Sequence, residues 1–266
     1  MKNTKLKIEN VKITAGEKPA VSFKTKNIML TIEYDGTSFD GWQRNRKFRT
    51  VQGEIERVLS KILNESTELT VAGRTDSGVH AIGQVANFLL KKTFDLKNLK
   101  KGINGLLPKD IVIKEIKEAP ADFSARFSAK MKTYTYRVLN KADRVPLSDR
   151  YCYHIYNKLN IPEMKKAAKL LLGKRDFKMF SAGDVRAMTI RSIKSIKIRK
   201  EKDFLILDFT GRSFLRKMVR ILAGLLICVG SDKYTALEVK KILAGKMRYS
   251  PFVAPAKGLT LTKIKY

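Results

Sequence analysis

The stretch AGRTDSGVHA, residues 72–81, holds an arginine and a carboxylate between two glycines, with a histidine two residues further on. Asp76 in this stretch admits two readings. As a turn residue it would accept hydrogen bonds from the backbone N–H groups that follow it. As a reactive group it could serve as a base or a covalent nucleophile, since carboxylates do both. Arg74, two residues back, is placed to keep such a carboxylate ionised and oriented. His80 reads as a hydrogen-bonded structural residue. The only other histidine, His154, is distant in sequence, so neither a metal-binding histidine pair nor a serine triad has support.

Two further groups of residues bear on Asp76. The window FLRKMVRILAGLLICVG, residues 214–230, reads as a buried helix with Arg216, Lys217 and Arg220 along one edge. Arg216 and Arg220, four apart, would ordinarily be solvated or touch phosphates. Arg220 lies deeper in the apolar run. An inward guanidinium is costly without a carboxylate partner, and Asp76 is the candidate. Tyr134 and Tyr136, in KTYTYRVLN, fit sheet-face packing, but on a face open to nucleic acid a tyrosine ring can stack on an extruded base.

What would reach these groups is suggested by charge. The 266-residue chain carries 55 Lys and Arg against 25 Asp and Glu, a formal net charge of +30. Such an excess attracts polyanions, because neutralising phosphates releases their counterions. The two cysteines, Cys152 and Cys228, form no CxxC pair and no disulfide framework, which favours a reducing, cytoplasmic setting and no zinc site. Residues 1–20 lack the apolar core of a secretory signal. The most apolar window is too short and too basic at its start for a membrane span.

The elements that must position the site follow from periodicity. IMLTIEYDG puts Ile28, Leu30, Ile32 and Tyr34 on one strand face, and TVQGEIERVLSKILN has helical spacing behind Thr50 as N-cap. ELTVAG and GQVANFLL read as strands flanking the Asp76 turn. DLKNLKKGINGLL reads as a helix and DIVIKEIK as a strand. The second half repeats the order. KTYTYRVLN is a strand with Tyr134, Tyr136 and Val138 on one face, and NIPEMKKAAKLLLG is a helix with Asn160 and Glu163 in capping-box spacing. TIRSIKSIKI and FLILDFT are strands, followed by helices at 214–230 and in ALEVKKILAG, then the strand GLTLTKIKY. The pattern predicts an α+β fold of two ferredoxin-like (split βαβ) lobes related by pseudo-two-fold symmetry, residues 28–130 and 131–266, after a basic N-terminal extension, 1–27. Helices on one sheet face would leave a groove between basic lobes.

Several of these segments, in this order, resemble the tRNA pseudouridine synthase A family: IEYDGTSFDGWQ (32–43), AGRTDSGVHA, DFSARFSAKMKTYTYRV (122–138), LLGKRDFKMFS (171–181), the 214–230 window and GLTL (258–261). The resemblance covers almost everything after residue 27, and the basic N-terminal stretch departs from it. It implies the pseudouridine synthase fold, with an extended antiparallel sheet shared by both lobes. It also implies isomerisation of uridine to pseudouridine in tRNA without metal, nucleotide or other cofactor, by a homodimer, at positions 38, 39 and 40 of the anticodon arm. On the family pattern Asp76 is the nucleophile, Arg74 displaces the target nucleotide and Tyr134 stacks on the flipped base. Arg220 pairs with Asp76, and Leu261 or Leu259 forms an apolar wall. A non-catalytic RNA-binding or RNA-chaperone protein is the alternative. A metal-dependent nuclease lacks the carboxylate cluster that two-metal chemistry needs.

Overall fold

The computed structural model describes residues 25–182 and 188–266, so most of the basic N-terminal stretch, residues 1–24, lies outside the described residues. Strand β1, Lys26–Tyr34, begins two residues before the expected lobe boundary. Asn27 ties its start into the lobe: its Nδ2 donates to the Pro120 and Phe123 carbonyls at 3.0 and 2.7 Å, and its Oδ1 accepts from Asn87 Nδ2 at 2.9 Å.

The first lobe runs β1, α1 (Val51–Leu63), β2 (Thr70–Val71), β3 (His80–Leu90), α2 (Leu96–Leu106) and β4 (Ile111–Ala119). The Thr50 side chain caps α1 by accepting from Gly53 N, which satisfies one of the N–H groups a helix start leaves unpaired. The second lobe runs β5 (Met131–Asn140), β6 (Tyr153–Ile155), α3 (Ile161–Leu170), β7 (Gly173–Asp176), β8 (Ile190–Glu201) and β9 (Phe204–Gly211). Helices α4 (Met218–Gly230) and α5 (Ala236–Leu243) and the last strand, β10 (Leu259–Lys265), complete it. Ile28, Leu30, Ile32 and Tyr34 are buried on one face of β1, and Tyr134, Tyr136 and Val138 on one face of β5. They join a single apolar core that runs through both lobes.

Among the described residues one sheet carries all ten strands, in the order β4-β1-β3-β10-β5-β9-β8-β7, with β2 beside β3 and β6 beside β5. The pairing is antiparallel except for β3–β10 and β5–β6. Each lobe shows the split βαβ order: β4-β1-β3-β2 in the first and β10-β5-β9-β8 in the second. The outer edge of β3 is divided between two partners. Short β2 takes Ala86 and Asn87, and β10 takes His80 and Ala81. The loop from β2 to β3, which contains Asp76, therefore leaves the sheet at the seam between the lobes.

One element starts later than its apolar pattern predicts. Helix α4 begins at Met218 because its N-cap, Lys217, lies in the left-handed region at φ 58°. A helix cannot run through such a residue. Arg216 thus precedes the helix instead of lying on its edge, and Arg220 is in its first turn.

Close backbone packing between the loop and the segment after β1 fixes the glycines there. A Cβ on Gly36 would lie 2.1 Å from the Val79 carbonyl oxygen, whereas a Cβ on Gly105, in α2, meets nothing within 4 Å. Gly36→Ala is expected to destabilise by roughly 3 kcal/mol through overpacking. Gly105→Ala should stabilise by up to about 1 kcal/mol through helix propensity. Urea unfolding of both variants checks the contrast.

Candidate active site

The Asp76 loop is held from behind by the segment after β1. Trp42 N donates to the Thr75 carbonyl at 3.1 Å and Gly78 N to the Phe39 carbonyl at 3.2 Å. Ser77 Oγ donates to the same Phe39 carbonyl at 3.3 Å, and Gln84 Nε2 donates to the Gly73 carbonyl at 2.8 Å. Inside the core the Tyr34 and Thr75 hydroxyls share a hydrogen bond of 2.8 Å. Gly41 sits at φ +75° with its Cα against this loop, and a Cβ there would lie 2.6 Å from the Thr75 carbonyl oxygen. Backbone polar groups in a buried loop need such partners. Here they leave the Asp76 side chain free to face the cleft.

Asp76 makes no side-chain hydrogen bond to neighbouring backbone among the described residues; its backbone carbonyl accepts from Val79 N instead. Its carboxylate pairs across the seam with Arg220, Oδ2 to Nη1 at 3.6 Å, with side-chain exposures of 24% and 15%. Arg220 is itself fixed, because its Nε donates to the Ala254 carbonyl at 2.8 Å. Both line a cleft of about 1160 Å³ together with Arg74, Tyr134, Phe214 and Leu259. Six basic side chains line it (Arg74, Arg126, Lys132, Arg216, Lys217 and Arg220) against three acidic ones, Asp40, Glu68 and Asp76.

A sequence model of the tRNA pseudouridine synthase family matches residues 30–128 and 167–266. The chain belongs to this family. It is similar to the tRNA pseudouridine synthase A of Thermoanaerobacter sp. (strain X514), 42% identical over 243 residues that cover 91% of this chain and 100% of that one. The corresponding protein of Ruminiclostridium cellulolyticum is 43% identical over 245 residues, with the same coverage of 91% and 100%. Among solved structures, an archaeal box H/ACA sRNP Nop10–Cbf5 complex matches with a TM-score of 0.32 and 12% identity, over 75% of this chain and 43% of that one.

In this tRNA pseudouridine synthase family member, four of the expected site residues come together in the cleft: Asp76, Arg220, Tyr134 and Arg74. Arg74 is exposed and forms no ion pair with Asp76 among the described residues. The buried anchor at Thr75 and the reach of Arg220 aim the carboxylate across the seam, so the pairing expected with Arg74 is made by Arg220 alone. Leu259 lines the cleft, whereas Leu261 is fully buried within β10, outside the lining, in register with Tyr134 of β5 and Ala81 of β3. His80 is a joint between segments. Gly36 N donates to its Nδ1 at 3.0 Å, and its Nε2 lies 3.1 Å from the Arg150 carbonyl oxygen of the other lobe. Among the described residues no group of three His, Cys, Asp or Glu side chains is arranged to hold a metal ion.

The sequence reading passed over the residues that hold the loop: Gly36, Gly41, Trp42, Thr75 and Gln84. Two glycines within IEYDGTSFDGWQ were the available signal, since glycine marks close backbone approach. Phe214 was missed as well. Its ring stands edge-on to Tyr134, 5.4 Å between centroids at 87°, and holds that ring at the cleft floor.

Burial pushes the Tyr34 hydroxyl up to about 12, partly offset by its hydrogen bonds with Thr75 and Gln84. An unfolded tyrosine ionises near 10. The folded state therefore keeps this proton while the unfolded chain loses it, and stability falls as pH rises from about 10 to 12. Tyr34→Phe should remove about 2 kcal/mol of the alkaline loss accumulated by pH 11.5. Denaturant titrations of both proteins at pH 8 and pH 11.5 would detect the flatter limb.

Proposed function

We propose that this protein isomerises uridine to pseudouridine in tRNA, with Asp76 as nucleophile and the anticodon-arm uridines 38, 39 and 40 as targets. The observation that carries the reading is the Asp76 carboxylate, free of local backbone and paired with Arg220 at the base of a basic cleft. Membership of the family supports the reaction class. The target positions, the nucleophile and the action of a second copy of the chain in binding tRNA are extensions of the family resemblance.

The reaction exchanges a glycosidic N1–C1′ bond for a C5–C1′ bond, and the proton on C5 ends on N1, so nothing is gained or lost overall. A base inside a stem cannot be reached, so the target must first be taken out of its stack, at a cost of a few kcal/mol. In this reading Arg74, exposed at the cleft, fills the space the nucleotide vacates. Tyr134 and Leu259 form the aromatic and apolar surfaces that receive the base.

 Tyr134 supplies the ring face and Leu259 the aliphatic wall, which is the usual way an extruded base is held. Burial raises the Tyr134 hydroxyl well above the ordinary phenol range, with Tyr34 and Asp76 adding to the shift. At neutral pH it is therefore an O–H donor and a stacking plane rather than a resident base. Arg220 aims the carboxylate, and a cleft emptied of water by the base strengthens that pairing. Whether the carboxylate attacks the uracil ring or the sugar after glycosidic cleavage, the same geometry serves.

Asp76→Ala should abolish pseudouridine formation on unmodified tRNA, scored by chemical probing. Its affinity for tRNA should stay within about threefold of wild type, because phosphate contacts dominate binding. A non-catalytic RNA binder would instead show no pseudouridine with the wild-type protein. Wild-type conversion by Asp76→Ala would remove the nucleophile.

Arg220 and Arg216 separate in the same assay. Arg220→Ala should lower kcat, whereas Arg216→Ala should raise KM and reduce the slope of log affinity against log salt by about 1. Conversion by the wild-type enzyme should be unchanged in EDTA.

A further inference from the structure

The cleft contains a cation that the proposed chemistry does not use. Lys132, the second residue of β5, lines the cleft and donates from Nζ to the Ala72 carbonyl at the start of the Asp76 loop. An ammonium has three donors, and this carbonyl takes one. No carboxylate is within ion-pair distance of Lys132 or of its neighbour Arg126 among the described residues. Of the acidic groups lining the cleft, Asp76 is engaged by Arg220. Burial, and then the like charge of Arg126, lower the Lys132 pKa.

Two cations lining one cleft, one of them half-buried and close enough to feel the other's charge, are unfavourable unless an anion joins them. We propose that Lys132 and Arg126 form a subsite for one backbone phosphodiester of the bound RNA, next to the target nucleotide. This rests on the reading of the protein as an enzyme that acts on RNA. The neighbouring geometry fits a nucleotide. Gly73 leaves the wall open, since a Cβ there would lie 3.3 Å from Lys132 Nζ and 3.5 Å from the Tyr134 hydroxyl. The ammonium and the ring expected to receive the base therefore flank the same spot. Phe127, beside Arg126, is 77% exposed in a cleft-lining position, with the Arg126 guanidinium 5.1 Å from its ring centre. An exposed aromatic ring next to a phosphate contact is the pairing by which unstacked nucleotides are held.

The test is a binding cycle on anticodon-arm RNAs, each with a single phosphate neutralised as a methylphosphonate. One position is expected to weaken wild-type binding about tenfold, the size of a charge-assisted contact. Lys132→Met should weaken binding of unmodified RNA to the same extent and be insensitive to neutralisation at that position. Lys132→Arg should restore both affinity and sensitivity. Arg126→Met, at an exposed residue, repeats the cycle should Lys132→Met fail to fold. The subsite is overturned if the neutralisation penalty at every position persists undiminished in these variants. Pseudouridine formation is scored separately with the wild-type enzyme, so loss of the proposed reaction and loss of the subsite give different results.

Discussion

A guanidinium in the first turn of α4 and a carboxylate on the loop before β3 meet across the seam between two lobes. Neither side chain is deeply buried, yet both are removed enough from water for their geometry to matter. The pair requires the two lobes to be fixed relative to each other, and β10 does this. It hydrogen-bonds to β3 of the first lobe and to β5 of the second, so the sheet and the core are continuous beneath the cleft. Tyr136, fully buried on β5, donates from its hydroxyl to the Pro255 carbonyl at 2.9 Å, next to the Ala254 carbonyl that holds Arg220. The second lobe thus fixes the guanidinium by the same segment that leads into β10.

The loop meets the complementary requirement. Its backbone is occupied from behind by Phe39, Trp42 and Gln84, and its one buried side-chain anchor is Thr75 on Tyr34. The carboxylate takes no hydrogen bond from this backbone among the described residues and is left for a partner across the cleft. The surplus of basic residues around it favours a polyanion, and Arg220 offsets at close range the repulsion that the Asp76 carboxylate would present to one.

Much of this was legible in the sequence where local rules and tertiary packing agree. The alternation of Ile28, Leu30, Ile32 and Tyr34, the cap at Thr50 and the face shared by Tyr134 and Tyr136 all follow from period and burial. Strand β7, GKRD, is exposed at every position and has no apolar alternation to reveal it. β2 is two residues long and shares the β3 edge with β10, a long-range arrangement that no local window contains. The late start of α4 was hidden for a similar reason, since FLRK continues the apolar helical spacing and nothing in it marks Lys217 as left-handed. The Asp76–Arg220 pair was reached from the cost of burying an arginine. Arg74 was placed beside Asp76 by sequence proximity, which did not register how firmly Thr75 between them is anchored. The half-buried Lys132 gave no signal, because one lysine in so basic a chain is indistinguishable from a solvated one.

The most direct measurement of the carboxylate's attachment across the seam is a double-mutant cycle on unfolding free energy, using Asp76→Ala, Arg220→Ala and the double variant. Two side chains in contact at this degree of exposure should show a coupling of about 1 kcal/mol. Strictly additive effects would contradict the account, because Asp76 would then be held by its own loop and not by the opposite lobe.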